Sequence, residues 1–161
     1  MDKKEFAAAK KALLEIMKRY KSCAESFADA KKATTLAELV EVLNTYRVYI
    51  GHHNVNITDW LRTYFADKLE LLNSYGIYLD QKVEVKEQPF VWLFGKCVCN
   101  YFLTLPIIGE LVVADFSCAL VHVTKSTLFR LYLVGDGIAE VAEQGEHAKI
   151  YIKDRRKDIC A

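Results

Sequence analysis

Hydrophobic residues in the first part of the chain recur with a helical period. Residues 2–32 contain neither Gly nor Pro and are rich in Ala, Lys, Glu and Leu, a composition that favours one long helix. Within this segment the apolar side chains alternate steps of three and four, which is the spacing of a heptad repeat. This row, here called the heptad seam, comprises Phe6, Ala9, Leu13, Ile16, Tyr20, Cys23 and Phe27.

The heptad seam has two interpretations. It can pair copies of the protein in a coiled coil, in which case homo-oligomers are expected. It can also be the core face of a helix that packs on its own neighbours, because Leu14 and Met17 widen the apolar stripe. Under the first interpretation the assembly residues are Phe6, Leu13, Ile16, Tyr20 and Phe27.

A second helix is predicted over residues 36–50. The preceding sequence, Thr35-Leu36-Ala37-Glu38, has the form of a capping box, in which the hydroxyl and the glutamate satisfy amide groups at a helix start. Gly51 is expected to end this helix in a left-handed conformation.

A third helix is predicted over residues 57–75. Asn56 or Thr58 can cap its start, and Gly76 is expected to end it. Residues 1–76 are therefore predicted to form a helical segment.

From residue 77 to 153 the apolar residues alternate with polar ones. A period of two is typical of strands, and from Ala119 onward the alternating stretches begin about ten residues apart. The stretches are residues 82–85, 91–93, 97–99, 103–105, 111–113, 119–123, 129–133, 139–141 and 148–152.

Strands without helices between them form either an antiparallel meander, sandwich or barrel, or a solenoid whose turns stack. Two observations favour the solenoid. The stretches resemble one another, with a small residue leading and β-branched or Leu residues following on the same face, as in repeats that bury one another's faces. Only Gly135-Asp136-Gly137 resembles a tight hairpin turn. The predicted class is α+β, with a β-solenoid in residues 77–153 and a basic tail in residues 154–161.

Three features in order along the chain carry a family resemblance. Asn56-Ile57-Thr58-Asp59-Trp60-Leu61 opens a helix, Tyr75-Gly76-Ile77-Tyr78-Leu79 follows, and tandem A-x-V-x-V steps such as ALVHV and AKIYI come next. In these features residues 56–153 resemble the short uncharacterised β-solenoid proteins of gut Bacteroidetes and their phages. The resemblance implies a β-solenoid of bacterial or phage origin, and it implies no chemistry.

The charge balance bears on the class of partner. The 161 residues include 22 Lys and Arg against 21 Asp and Glu, which gives a formal net charge of +1. Nucleic-acid binding relies on concentrated positive charge, and the only strongly basic block is Lys153-Asp154-Arg155-Arg156-Lys157. A nucleic-acid partner is therefore not expected.

Neither a membrane span nor an export signal is predicted. The longest uncharged run, residues 97–109, is shorter than the roughly 20 residues that cross a bilayer. The charged start MDKKEFAAAKK lacks the apolar core of a signal peptide. We therefore expect a cytoplasmic protein whose five cysteines are reduced thiols.

Few cysteines or histidines are placed for metal binding. His52-His53 lies in a predicted surface turn, without Cys or carboxylates at ligand spacing. Cys97 and Cys99 point to one face of a strand and approach Cys118 only if a later stretch stacks there. We expect buried free thiols at these positions, with neither metal nor cofactor.

Two histidines are candidates for a general base. In a transferase-like enzyme a histidine between subunits takes up the proton, and His122 and His147 are available. His122 points away from the face of Val121 and Val123, with Glu140 as its expected neighbour. A histidine on a strand surface is the plainer interpretation of His122.

Outward side chains of the strands form the remaining candidate site. Aromatic and charged residues that alternate on a flat sheet suit a protein or glycan partner, and this interaction surface comprises Arg130, Tyr132, Lys149 and Tyr151. We therefore predict a non-enzymatic structural or interaction protein that binds a protein partner or itself. The alternative is a small transferase-like enzyme with a histidine at a subunit boundary.

Overall fold

The protein divides into two compact units, Met1–Tyr75 and Gly76–Ala161. Its structure is a computed structural model, which describes residues 3–47, 57–125 and 128–156. Within these ranges the first unit contains α1 (Lys3–Arg19), α2 (Ala24–Lys32), α3 (Leu36–Thr45), α4 (Thr58–Phe65) and α5 (Leu69–Ser74).

The long helix predicted over residues 2–32 is two helices, α1 and α2. α1 ends because Lys21 takes a left-handed conformation, with a φ of 53°. The amide of Ser22 then turns back and donates to Met17 O at 2.9 Å. This is the Schellman arrangement, in which Gly usually occupies the left-handed position. The break contains no glycine, so the sequence composition does not predict it.

The prediction of one continuous heptad seam is therefore wrong. Phe6, Leu13 and Ile16 lie on α1, whereas Phe27 lies on α2 and Tyr20 lies in the break. Leu13 is completely buried, so a second copy cannot contact it without unfolding this region. The row instead supplies part of the core of its own chain.

The predicted start of the second helix is confirmed. The amide of Glu38 donates to Thr35 Oγ1 at 3.2 Å, and α3 begins at residue 36. The Glu38 carboxylate accepts from the amide of Thr34 rather than from that of Thr35. The predicted end at residue 50 and Gly51 lies outside the described residues.

The third predicted helix, over residues 57–75, is also two helices, α4 and α5. Thr58 is the first residue of α4, and Ile57 at the cap position makes no side-chain capping bond; Asn56 is outside the described residues. Gly76 follows α5 with a φ of 76°. In the core of this unit, Trp60 Nε1 donates to Ala9 O at 2.8 Å and so ties α4 to α1.

The second unit is built from strands. In the part of the chain that the structure describes they are β1 (Ile77–Leu79), β2 (Lys82–Lys86), β3 (Phe90–Phe94), β4 (Val98–Leu103), β5 (Ile108–Val113), β6 (Cys118–Val123), β7 (Leu128–Leu133), β8 (Ile138–Gln144) and β9 (Ile150–Asp154). Alternate strands belong to different sheets. Sheet A has the order β1-β3-β5-β7-β9, and sheet B the order β2-β4-β6-β8.

Every described strand pair is parallel, and each strand pairs with the strand two places further along the chain. This confirms the β-solenoid and excludes the antiparallel meander. Val98 pairs with Cys118, which pairs with Ile138, so these coils take 20 residues each. The first coil is shorter, since Lys82 already pairs with Val98. The ten-residue spacing in the sequence is half a coil, because successive stretches alternate between the sheets.

The two sheets bury their inner faces against each other. Tyr101 from sheet B stacks on Phe129 from sheet A with the ring centroids 5.5 Å apart, and the phenol of Tyr101 donates to Gln88 O at 2.7 Å. Burial of this apolar interior is the main force that holds the coils together. Its fully buried members include Val91, Leu93, Tyr101, Leu103, Leu111, Val113, Val121, Val123 and Phe129.

The corners after β1, β3, β5 and β7 repeat one unusual conformation. Asp80, Gly95, Asp115 and Gly135 occupy equivalent positions in successive coils, and all are left-handed, with φ between 52° and 74°. Gly adopts this region freely, and Asp tolerates it better than most residues. The Asp115 carboxylate also accepts from the amide of Gly95 in the preceding coil at 2.9 Å.

The opposite corner depends on a carboxylate. Glu87 accepts from the amides of Thr104 and Leu105 at 3.0 and 3.1 Å, and from the Thr104 hydroxyl. These bonds favour the ionised form, and the hydroxyl bond lowers the pKa of Glu87 most. The first coil is thereby fastened to the second.

We expect Gly137→Ala to destabilise the solenoid by about 2 kcal/mol. A Cβ at Gly137 lies only 2.0 Å from Val113 O, so the backbone of two coils must move apart. Gly135→Asp is the matched control and should cost less than about 1 kcal/mol, because Asp80 and Asp115 already occupy that position. Urea denaturation followed by circular dichroism measures both, and equal losses contradict this account of the corner.

We expect Glu87→Gln to destabilise the protein at neutral pH and to do so less as the pH falls. The lowered pKa of Glu87 means that its contribution is present above the ordinary value of 4.5 and is lost as the pH drops through the folded-state value. Urea midpoints from neutral pH downwards test this, with the exposed Glu146→Gln as control. A deficit that stays constant below pH 4.5 refutes the role of the charge.

Candidate interaction face

The outer side of sheet B presents side chains in three columns, because parallel strands in register place equivalent residues above one another. We call this surface the interaction face. Its columns, in coil order, are Lys82, Val98, Cys118 and Ile138; Glu84, Asn100, Leu120 and Glu140; and Lys86, Phe102, His122 and Glu143.

The first column is largely apolar and exposed. Val98 is 46% exposed and Ile138 is 60% exposed, and the Cys118 thiol between them is exposed and free. A shallow groove runs along these residues and is bordered by Leu120 and Asn100. Contiguous exposed apolar surface with a polar rim is typical of interaction sites.

The third column stacks a basic, an aromatic, an imidazole and an acidic side chain in that order. Lys86 Nζ lies 5.7 Å from the centroid of the Phe102 ring. That ring stacks on His122 with centroids 4.5 Å apart and an angle of 11° between the planes. His122 Nδ1 in turn lies 3.6 Å from Glu143 Oε2. The imidazole is therefore held on a strand surface by one aromatic and one carboxylate neighbour.

The expected neighbour of His122 was Glu140, and this is wrong. Glu140 instead pairs with Leu120, one outward position before His122. A β-bulge follows, at which β8 carries one extra residue, Ala142, and the shifted pairing places Glu143 opposite His122. A bulge places an extra residue in one strand and redirects the side chains beyond it. The alternating pattern of the sequence contains no signal for this insertion.

The histidines and thiols that the structure describes in this unit are not assembled for nucleophilic catalysis. Cys118 and His122 are four positions apart on β6, which separates their backbones by about 13 Å, far beyond hydrogen-bond reach. His147 is exposed in the corner before β9. Within the described ranges there is no cluster of three or more His, Cys, Asp or Glu that could hold a metal ion.

The four cysteines in the described ranges divide into buried and exposed thiols. Cys97 and Cys99 are buried, and burial raises the pKa of both, that of Cys99 to about 12. Cys118 lies on the opposite side of its strand from the interior, so it does not face Cys99. Cys23 is exposed and caps α2, where its Sγ accepts from the amide of Ser26 at 3.4 Å.

The predicted interaction surface lies on sheet A, and one of its four residues is misplaced. Arg130, Lys149 and Tyr151 are exposed, and Arg130 is the register partner of Tyr151. Tyr132 is only 3% exposed, and its column neighbours are Val112 and Lys153. The Lys153 ammonium is 5.6 Å from the Tyr132 ring centroid. Tyr132 therefore cannot serve as an exposed contact.

The sequence pattern alone does not reveal the interaction face, because apolar residues occupy both sides of β4. Val98 points outward and Cys99 inward, yet both fit the apolar pattern of a strand. Val98, Cys118 and Ile138 do recur at intervals of 20 residues. That spacing marks the column once the length of the coil is known.

His52 and His53 are outside the described residues. In the described part of the chain no helix is long and apolar enough to cross a membrane. No protein-family model matches the sequence, and no curated protein or solved structure is significantly similar to it. The resemblance to the gut Bacteroidetes and phage solenoids therefore stays a prediction.

We expect alkylation of the folded protein to modify Cys23 and Cys118 and to spare Cys97 and Cys99. The two interior thiols are buried and their pKa values are raised, so little thiolate forms. Timed reaction with iodoacetamide, followed by mass spectrometry, measures this. Residues 97–125 form one tryptic peptide, and fragmentation assigns the label within it. Equal labelling of Cys99 and Cys118 contradicts the assignment of faces.

Proposed function

We propose that this protein is a non-enzymatic interaction module whose solenoid presents the outer side of sheet B to a protein partner. The observation that carries the proposal is the exposed apolar column of Val98, Cys118 and Ile138. Outward strand positions of a soluble sheet are ordinarily polar. In this protein three outward positions in successive coils are apolar instead, and together they form a continuous apolar strip.

The rigidity of the fold supports a binding role. The strands of the interaction face have parallel backbone pairing with their neighbours, and the inner residues of the two middle strands, such as Cys99, Tyr101, Val121 and Val123, are buried. A preorganised surface loses little conformational entropy on binding. This flat face is suited to a partner surface of complementary shape rather than to a small molecule, which prefers a deep concave site.

The charges at the two ends of the strip indicate the partner's chemistry. The first-coil row carries two lysines and one glutamate, Lys82, Lys86 and Glu84, whereas the last-coil row carries Glu140 and Glu143. A complementary partner therefore has an apolar strip with an acidic end and a basic end. Such complementarity fixes orientation and suppresses wrong partners.

We expect Val98→Lys to abolish partner binding without harming the fold. Lys82 already occupies the same column one coil earlier, so the substitution is compatible with the strand, but it places a charge in the apolar strip. Tagged wild type and variants are used to capture proteins from a lysate of the cell that produces the protein. Quantitative mass spectrometry compares the amount of each captured protein between the variants. Each captured protein is then purified and titrated against wild type and variants.

Ile108→Lys is the matched control, because Ile108 is 52% exposed on sheet A against 46% for Val98 on sheet B. The expected result is a protein that binds wild type and Ile108→Lys alike and binds Val98→Lys roughly tenfold or more weakly. Binding that is the same for all three, or a purified candidate that fails to bind wild type, refutes the proposed face.

A further inference from the structure

We propose that the last coil of the solenoid docks end to end on the last coil of a second copy, with β9 of each copy beside β8 of the other. This surface adjoins the interaction face at β8, whose Glu140 and Glu143 border both. It is the cross-section of the solenoid after β9, where the stack of described coils ends.

Side chains at inward-facing positions are buried in the earlier coils, whereas the equivalent side chains in the last coil are partly or largely exposed. On sheet A, Leu111 and Leu131 are 0% and 1% exposed, whereas Ile152, the register partner of Leu131, is 57% exposed. On sheet B, Val121 is fully buried, whereas its partner Val141 is only partly buried. Among residues 76–125 and 128–156, the apolar interior is therefore uncovered on one side, and solenoids require such ends to be covered.

The strand edges at this end are also available for pairing. Among the described residues β8 has only β6 as a neighbour, and β9 has only β7. Edge strands offer rows of amide and carbonyl groups that pair readily with another chain. A second copy satisfies both needs at once, since its own last coil carries the same open interior and the same two edges.

Two symmetric arrangements are geometrically possible. Short corners join each strand to the next, so the strands of sheet A and sheet B run in opposite directions. A two-fold axis across the end of the solenoid can place β9 beside β9 and β8 beside β8. The other two-fold axis places β9 beside β8 on both sides. Both give antiparallel pairing between copies.

Charge distinguishes the two arrangements. The outward residues around β9 include the basic Lys149 and Lys153, whereas β8 carries the acidic Glu140 and Glu143 on its outer side. Like charges directly opposite each other in neighbouring strands are unfavourable, and opposite charges are favourable. Only the arrangement of β9 beside β8 puts lysines opposite glutamates at both contacts. The contact is isologous, so it closes at a dimer.

This arrangement has a geometric consequence for the interaction face. Sheet B of one copy becomes continuous with sheet A of the other, so the two interaction faces of the dimer point to opposite sides. The dimer itself does not depend on the proposed partner, because Val98 at the centre of the interaction face lies away from the last coil.

Sedimentation velocity of the full chain over a hundredfold range of concentration tests the proposal. We expect a concentration-dependent dimer in the wild type, and an association weakened roughly tenfold or more by Ile152→Lys, which places a charge in the open interior. Val98→Lys is the control and should dimerise as the wild type does. Circular dichroism checks that each variant is folded.

Charge reversal provides a second test, which remains informative even if Ile152→Lys fails to fold. Glu140→Lys with Glu143→Lys makes both strands basic, and Lys149→Glu with Lys153→Glu makes both acidic. Each variant alone should be monomeric, and an equimolar mixture should form the mixed dimer. A monomeric wild type, an assembly larger than a dimer, or charge-reversed variants that each dimerise as well as wild type overturns the proposal.

Discussion

Parallel pairing in register between coils is the constraint on which the second unit depends. Because equivalent residues stand above one another, a property of one position is repeated along the whole stack. The left-handed corner at Asp80, Gly95, Asp115 and Gly135 is an example: once the first corner turns in this way, each later corner must turn at the same place to keep the sheets aligned. Residue choice at the corners is therefore limited to types that tolerate positive φ.

The same constraint produces both surfaces that we assign to binding. On the outer side of sheet B, stacking converts single exposed residues such as Val98 and Ile138 into a continuous strip. At the last coil, stacking stops, and Ile152 becomes exposed where Leu131 beneath it is buried. The apolar strip on sheet B and the open end of the stack thus both follow from the stacking of coils in register, although they are suited to different partners.

Much of this architecture could be predicted from the sequence. Alternating apolar residues located most of the strands, and the likeness of the stretches indicated stacking rather than hairpins. The departures involve conformations without a compositional signal. Lys21 ends α1 in a left-handed conformation that ordinarily marks Gly, and the bulge after Val121 places Glu143, rather than Ala142, opposite His122. The outward position of Val98 is shared with Cys118, 20 residues away, and local alternation does not identify such neighbours. Nor does local alternation distinguish the buried Tyr132 from the exposed Val98.

The pairing of each coil with its nearest neighbours alone also bears on how such a protein can change in evolution. A duplicated segment of 20 residues adds one coil, lengthens the stack by about 4.8 Å and extends every column by one residue, while the existing coils keep their contacts. The bulge after Val121 shows that even a single extra residue is absorbed locally. The length of the binding strip is therefore a quantity that can grow or shrink in whole steps, independently of the chemistry that each step carries.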